Sequence, residues 1–310
     1  MHQERLTTLK RITAVAILAA MAGCSPLELL NQTSPDRHYE RTAGVAYGSE
    51  SRQVREIYSP AAPLPSAPLV VFFYGGGWRS GDRDNYEFVA SALTEAGITV
   101  VIPDYRLFPD VAFPAFVEDA AAAVSWSVRN ADRLGISEDA IFLMGHSAGA
   151  HIASLVALDE SYLGNEAETD VSIRAWIGLS GPYDFLPIEW SYLQEVFPEP
   201  NREQSQPVNF VTPDAPPALL IHGTDDSTVR IDNSLSLLGR LQDKGVAARL
   251  ESYDGVGHES VMLALAPPLD ILADTLTDSR DFIIEMLEDG MTPDMQQAGR
   301  LAGAAGQPPL

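Results

Sequence analysis

The sequence predicts an α/β fold, a mostly parallel sheet with helices on both faces, and three observations point to it. Short apolar runs alternate with longer segments of helical spacing, the rhythm of buried parallel strands joined by crossover helices. One of those runs, Ile141–Met144, leads through a glycine-flanked serine directly into a helical segment. The size agrees: 310 residues, 45% hydrophobic and 20% charged, suffice for one domain with a sizeable core.

Taken in chain order, residues 1–23 carry Arg5, Lys10 and Arg11, then an apolar run from Ile12 to Ala22, then Gly23. A charged start, a short apolar stretch and small residues before a cleavage point read as an export signal. The run is well short of the ~20 residues that a spanning helix needs. Met21-Ala22-Gly23-Cys24 resembles a bacterial lipobox, with Met where Leu is usual. The resemblance implies lipidation of Cys24, a periplasmic or membrane-anchored protein, and, with Ser25 next, sorting to the outer membrane. An ordinary signal peptide with an incidental cysteine is the alternative. Cys24 is the only cysteine, so the chain builds neither an internal disulfide nor a cysteine-based metal site.

Residues 24–47 are polar and without sustained periodicity, and read as a tether. The catalytic domain is expected over 48–289. Its strands read as Leu69–Tyr74, Ile98–Ile102, Ala140–Met144, Ala175–Leu179, Ala218–His222 and Ala247–Tyr253. Its helices read as Asn85–Ala96, Phe116–Leu134, Ala148–Leu158, Ile231–Lys244 and Leu269–Leu287. Residues 183–217 interrupt the rhythm with prolines and aromatics, and are expected to form a lid-like insertion or pocket wall over the carboxyl edge of the sheet. Residues 290–310, rich in Gly, Ala, Gln and Pro, read as a disordered tail.

The net charge of −23 argues against nucleic acid as a partner, since phosphate binding needs clustered Lys and Arg. It fits a solvated acidic surface.

Chemistry concentrates at strand ends. Gly145-His146-Ser147-Ala148-Gly149 lies between a strand and a helix, the setting of the G-x-S-x-G nucleophile elbow, so Ser147 is the candidate nucleophile. A serine hydroxyl needs a base, and in this arrangement the order is Ser, then Asp or Glu, then His. Of six histidines, His2 and His38 lie outside the expected domain, and His146, His151 and His222 precede every acid candidate. His258 remains, in the glycine-rich turn after the last strand. The acid belongs after Leu220-Ile221-His222, where Asp225 and Asp226 are adjacent, with Asp254 a remote third. Three consecutive glycines after the first core strand, Gly75 to Gly77, allow the N–H groups of Gly76 and Gly77 to join that of Ala148 as an oxyanion hole.

With these residues in hand, the chain resembles the hormone-sensitive-lipase-like and feruloyl-esterase-like α/β-hydrolases, including the BD-FAE type, over about Val70 to Leu287. The matching segments are Trp78-Arg79-Ser80-Gly81-Asp82, Pro103-Asp104-Tyr105-Arg106-Leu107, Phe113-Pro114-Ala115, Asp119 and Ser180-Gly181-Pro182-Tyr183-Asp184. The resemblance implies the α/β-hydrolase fold and a serine carboxylic-ester hydrolase that works through an acyl-enzyme on a small or short-chain ester. It implies no metal and no other cofactor, and leaves the N-terminal lipid as the single membrane contact. The HGTxDxxV pattern, matched at His222, Gly223, Thr224 and Val229, chooses Asp226 as the acid and leaves Asp225 as a turn residue. The segment Asp104-Tyr105-Arg106 is expected to brace the oxyanion loop. Tyr74 stands where such enzymes usually have His; Tyr74, Trp78, Pro182 and Tyr183 are candidates for the substrate-binding wall, with core packing the alternative. Two rival readings remain: an arylformamidase-like amide hydrolase, because Gly75 to Trp78 also resembles an HGGxW run, and a non-catalytic surface lipoprotein that only binds.

Overall fold

The computed structural model describes residues 26–33, 38–165 and 171–289; the expected export signal, Cys24 and the 290–310 tail lie outside the described residues. Eight strands form one sheet: β1 (Tyr39–Ala46), β2 (Val54–Pro60), β3 (Leu69–Phe73), β4 (Thr99–Pro103), β5 (Ile141–His146), β6 (Ala175–Leu179), β7 (Ala218–Gly223) and β8 (Ala248–Tyr253). Their order is β1-β2-β4-β3-β5-β6-β7-β8, antiparallel across the first two pairings and parallel thereafter. The six strands read from the sequence are β3 to β8. Every residue of β3 to β7 is buried, so both faces of the sheet are covered, which is why these strands are apolar without alternation.

The helix Ala148–Leu158 lies at the centre, buried along its whole length, and apart from His151 and Ser154 its residues are apolar or glycine. It packs on β5 and β6 and against the helix Ala115–Arg129. The parallel register brings Gly145 of β5 level with Phe73 of β3 and Gly178 of β6. Ser147, the glycine run and the turn after β6 therefore emerge at the same edge of the sheet.

The polar stretch 24–47 is not a plain tether. Pro26–Thr33 is helical, and Tyr39–Ala46 is the edge strand β1. Leu27, Leu30, Tyr39 and Val45 pack against the core, but polar contacts interspersed among them hold much of the segment and obscure its apolar pattern. Asn31 donates to the Asp84 carbonyl at 2.6 Å and accepts from the Phe88 N–H at 3.1 Å, and Arg41 pairs with Glu56, Asp84 and Glu87. For the same reason β2 escaped the sequence reading: its buried residues include Arg55 and Glu56. The helix expected over Phe116–Leu134 breaks at Asn130 into Ala115–Arg129 and Ala131–Leu134. The last helix begins at Thr275 rather than Leu269, and a short helix, His258–Leu263, precedes it.

Candidate active site

The turn that carries Ser147 exists because two glycines let three chains meet. A Cβ on Gly145 would overlap the carbonyl of Gly149, and one on Gly149 would overlap the carbonyl of Phe73 at the end of β3. The helix can start this close to β5 and β3 only without those carbons. Between them Ser147 takes φ 54 and ψ −121, a conformation that costs a non-glycine residue about 1–3 kcal/mol. Its N–H is anchored on the Leu179 carbonyl at 2.8 Å. The result is a hydroxyl at the floor of an open cleft.

The loops after β7 and β8 are tied to each other. The Thr224 N–H reaches the Tyr253 carbonyl at 2.9 Å, the Asp225 N–H reaches the Val256 carbonyl at 3.1 Å, and Thr224 Oγ1 accepts from the Gly255 N–H at 3.0 Å. This lacing carries Asp226 to His258. His258 Nδ1 donates to Asp226 Oδ2 at 2.7 Å, and Ser147 Oγ donates to His258 Nε2 at 2.9 Å. Asp226 and His258 are buried, whereas Asp225 is exposed and Asp254 accepts from Thr224 rather than meeting the imidazole. Of the two neighbouring aspartates, the turn points Asp226 inward, the one the resemblance favours, and leaves Asp225 exposed.

Asp226 is held as an anion. Burial works against its charge, but hydrogen bonds from His222, His258 and the Val229 N–H outweigh it and hold the carboxyl well below the usual carboxylate range. The Thr228 N–H adds a bond of 2.9 Å to Oδ1. His222 Nε2 donates to the Val229 carbonyl at 2.8 Å and lies 3.2 Å from Asp226 Oδ2, while its Nδ1 accepts from Ser234 Oγ at 2.8 Å. His146, next to Ser147, donates from Nε2 to the His258 carbonyl at 3.1 Å. Burial, reinforced by the neighbouring His258, lowers its pKa to about 3, so it holds the His258 carbonyl as a neutral ring.

The glycine run supplies the other half of the site. Gly76, at φ 129, accepts into its carbonyl from the N–H groups of Arg79 and Ser80 and from Ser80 Oγ; a Cβ there would overlap the Ser80 backbone. Gly76 and Gly77 line the cleft with Ser147. Among the described loop and cap hydrogen bonds, the N–H groups of Gly76, Gly77 and Ala148 find no protein acceptor.

Tyr74 and Tyr183 do not line this cleft. Tyr74 is fully buried, stacked between Tyr105 and Tyr86 at 4.8 and 5.4 Å. Its hydroxyl donates to Asp104 Oδ1 at 2.6 Å and accepts from Arg52 at 2.8 Å. Tyr105 donates to the Tyr74 carbonyl at 2.7 Å, and Arg106 forks onto Asp119, so the Asp104–Arg106 segment does hold the root of the glycine loop. Tyr183 turns inward onto Gly178, Gly181 and Trp176, because Asn233 Oδ1 captures the N–H groups of Tyr183 and Asp184 and fixes the turn. Trp78 and Pro182 do line the cleft, whose volume is about 500 Å³.

The 183–217 insertion forms much of the wall. Phe185, Ile188, Tyr192 and Leu193 face the cleft opposite Thr228 and Asn233. The aromatic content of the insertion was its visible signal; which rings face inward was not. The insertion is anchored through His151, which donates from Nε2 to the Ser205 carbonyl at 2.7 Å, and whose burial lowers its pKa to about 4.

The BD-FAE family pattern matches residues 56–241. The isoprenylcysteine alpha-carbonyl methylesterase ICME of Arabidopsis thaliana is 31% identical over 273 residues, covering 81% of this chain and 64% of the relative. Esterase LipC of Mycobacterium tuberculosis is 30% identical over 245 residues, covering 72% and 60%. The chain spans between about half and two thirds of the length of these curated relatives. In fold, it superposes on Lactobacillus rhamnosis esterase B, inhibited by a tributyrin phosphonate, with a TM-score of 0.75 at 20% identity, covering 94% of this chain and 98% of that one. A carbohydrate esterase from gut microbiota gives 0.70 at 22% identity, covering 81% and 97%.

Proposed function

The chain belongs to the BD-FAE family, and on that premise we propose that it is a serine carboxylesterase acting through an acyl-enzyme on small or short-chain esters. The observation that carries the proposal is the unbroken line from Ser147 Oγ through His258 to Asp226, at 2.9 and 2.7 Å, beside N–H groups on Gly76, Gly77 and Ala148 that find no protein acceptor among the described residues.

In this reading His258 Nε2 takes the Ser147 proton as Oγ attacks the ester carbonyl. The carbonyl oxygen gains the negative charge and rests on those three N–H groups, where pre-placed donors are worth most. The imidazolium, stabilised by ionised Asp226, returns the proton to the departing alkoxide. Water, deprotonated by the same imidazole, then releases the acid and restores Ser147. The modest cleft and the bulk of Trp78 support a small acyl or alcohol group. Relatives named as esterases and methylesterases support ester over amide chemistry.

Purified protein is expected to hydrolyse p-nitrophenyl acetate and butyrate, and to lose that turnover in Ser147→Ala. Undiminished turnover in the variant would sink the assignment. We propose also that the chain is exported and lipidated at Cys24, supported by the charged, apolar and small-residue order of residues 1–24. Labelled fatty acid incorporated equally by wild type and Cys24→Ser would refute lipidation there.

A further inference from the structure

We propose that the cleft is built for esters carrying a negatively charged group, recognised by Arg79; this rests on the esterase reading above and names its substrate class. Arg79 lines the cleft that holds Ser147, and its guanidinium carbon lies 4.7 Å from the centre of the Tyr192 ring. The far end of that ring points to the oxyanion loop: Tyr192 Oη stands 3.6 Å from where a Cβ on Gly77 would be. One tyrosine ring therefore separates the guanidinium from the glycine assigned to the developing oxyanion. A guanidinium stacked on an aromatic face keeps its in-plane N–H groups free, in the fork that matches a carboxylate or other oxyanion. Among the described residues no carboxylate pairs with Arg79.

The charge distribution argues the same way. The cleft lining holds two arginines, Arg79 and Arg230, against one carboxylate, Glu189, on a chain of net charge −23. Such a chain repels anions at long range, and a free guanidinium at the cleft offsets that repulsion locally. A neutral ester has no need of it. Arg230 is already paired with Asp232 on the exposed surface, which leaves Arg79 as the unpaired guanidinium of the mouth.

The anion can sit on the alcohol or on the acyl side, and two substrate pairs separate these. On the alcohol side, para-acetoxybenzoate is compared with neutral para-acetoxybenzamide; on the acyl side, p-nitrophenyl hydrogen adipate with p-nitrophenyl adipamate. The expected result is a higher kcat/KM for the anionic member in at least one pair, weakening as salt is raised from about 0.02 to about 0.5 M. In Arg79→Gln the anionic-to-neutral ratio is expected to fall about tenfold, and in Arg79→Lys by less. A ratio at or below one in the wild type, or a ratio unchanged in Arg79→Gln, overturns the proposal while turnover of the neutral esters leaves the esterase reading standing. Absence of turnover with all four esters would instead bring down the esterase reading, and this one with it.

Discussion

His258 and Asp226 meet through a single oxygen, Oδ2, at 2.7 Å, and His222 stands 3.2 Å from that same atom. The other oxygen, Oδ1, is held by the N–H groups of Thr228 and Val229 at 2.9 and 2.8 Å. The carboxylate is thus fixed on both sides before the base reaches it, and the proton of His258 is confined to Nδ1. Its Nε2 is left as the acceptor that faces Ser147.

This dictates the outcome of Asp226→Asn. The amide nitrogen turned toward His258 would donate where the carboxylate accepted, favouring the tautomer with its proton on Nε2, the wrong one for a base. A loss of about 10³- to 10⁴-fold in kcat with KM little changed is expected. Asp225→Asn, on the exposed neighbour, is expected to stay within about twofold. Steady-state kinetics on p-nitrophenyl butyrate compares the two, and equal losses would show that the neighbours had been distinguished wrongly.

Stability should fall on mild acidification, before carboxylates protonate. His151 is fully buried and neutral, with a pKa lowered to about 4 by burial, against about 6.5 in the unfolded chain. Between those values the unfolded state binds a proton that the folded state does not, so stability is full above about pH 6.5 and declines toward pH 4, with His151 alone contributing at most about 3 kcal/mol. His146, lowered to about 3, adds its own loss over the same window and carries the slope further down. His151→Gln keeps an Nε2–H for the Ser205 carbonyl but does not titrate. Urea midpoints measured across this window are expected to vary less with pH in that variant than in the wild type.

Glycine-to-alanine changes should divide by what a Cβ meets. Gly149→Ala drives a methyl into the Phe73 carbonyl beneath the elbow and is expected to cost about 3 kcal/mol or more, or to prevent folding. Gly239 sits exposed within the helix Asp232–Asp243, with nothing within 4 Å of a new Cβ. Gly239→Ala is expected to stabilise by roughly 0.5–1 kcal/mol, through helix propensity and a less flexible unfolded chain. Thermal or urea denaturation of the three proteins checks both signs.

The same residues show what a sequence can carry. Ser147 was legible because its requirement is local: strand, glycine, serine, glycine, helix. His258 emerged by chain order alone. Asp226 needed a family pattern, since nothing in the order of two adjacent aspartates says which one a turn will bury. The strands β1 and β2 were missed because Arg41, Arg55 and Glu56 hold them through charge and ring contacts, so their residues do not alternate as a half-buried strand's would. Aromatics at strand ends were the weakest inference. Tyr74 and Tyr183 stand next to the site in sequence, yet side-chain direction is set by the backbone's local turn and by partners such as Asp104 and Asn233. The contact of Arg79 with Tyr192 joins two distant segments that no local pattern links.

Tyr74 provides the sharpest test of that correction. As a pocket-wall residue its loss would change substrate affinity; as a buried brace it acts on the fold and on the oxyanion loop. The hydroxyl fills a site between Asp104 and Arg52, and its own ionisation is pushed up, first by burial and then by the neighbouring Tyr105 and Asp104. Tyr74→Phe keeps the stacking on Tyr105 and Tyr86 but removes a donor from a buried carboxylate that also holds the Arg83 N–H at 3.0 Å. A destabilisation of about 1–3 kcal/mol is expected. Because Asp104 keeps its arginines, the loop should loosen rather than collapse, so kcat should fall by a few-fold, about 1 kcal/mol or less in the barrier, with KM nearly constant. A raised KM at unchanged stability would put Tyr74 back on the cleft wall.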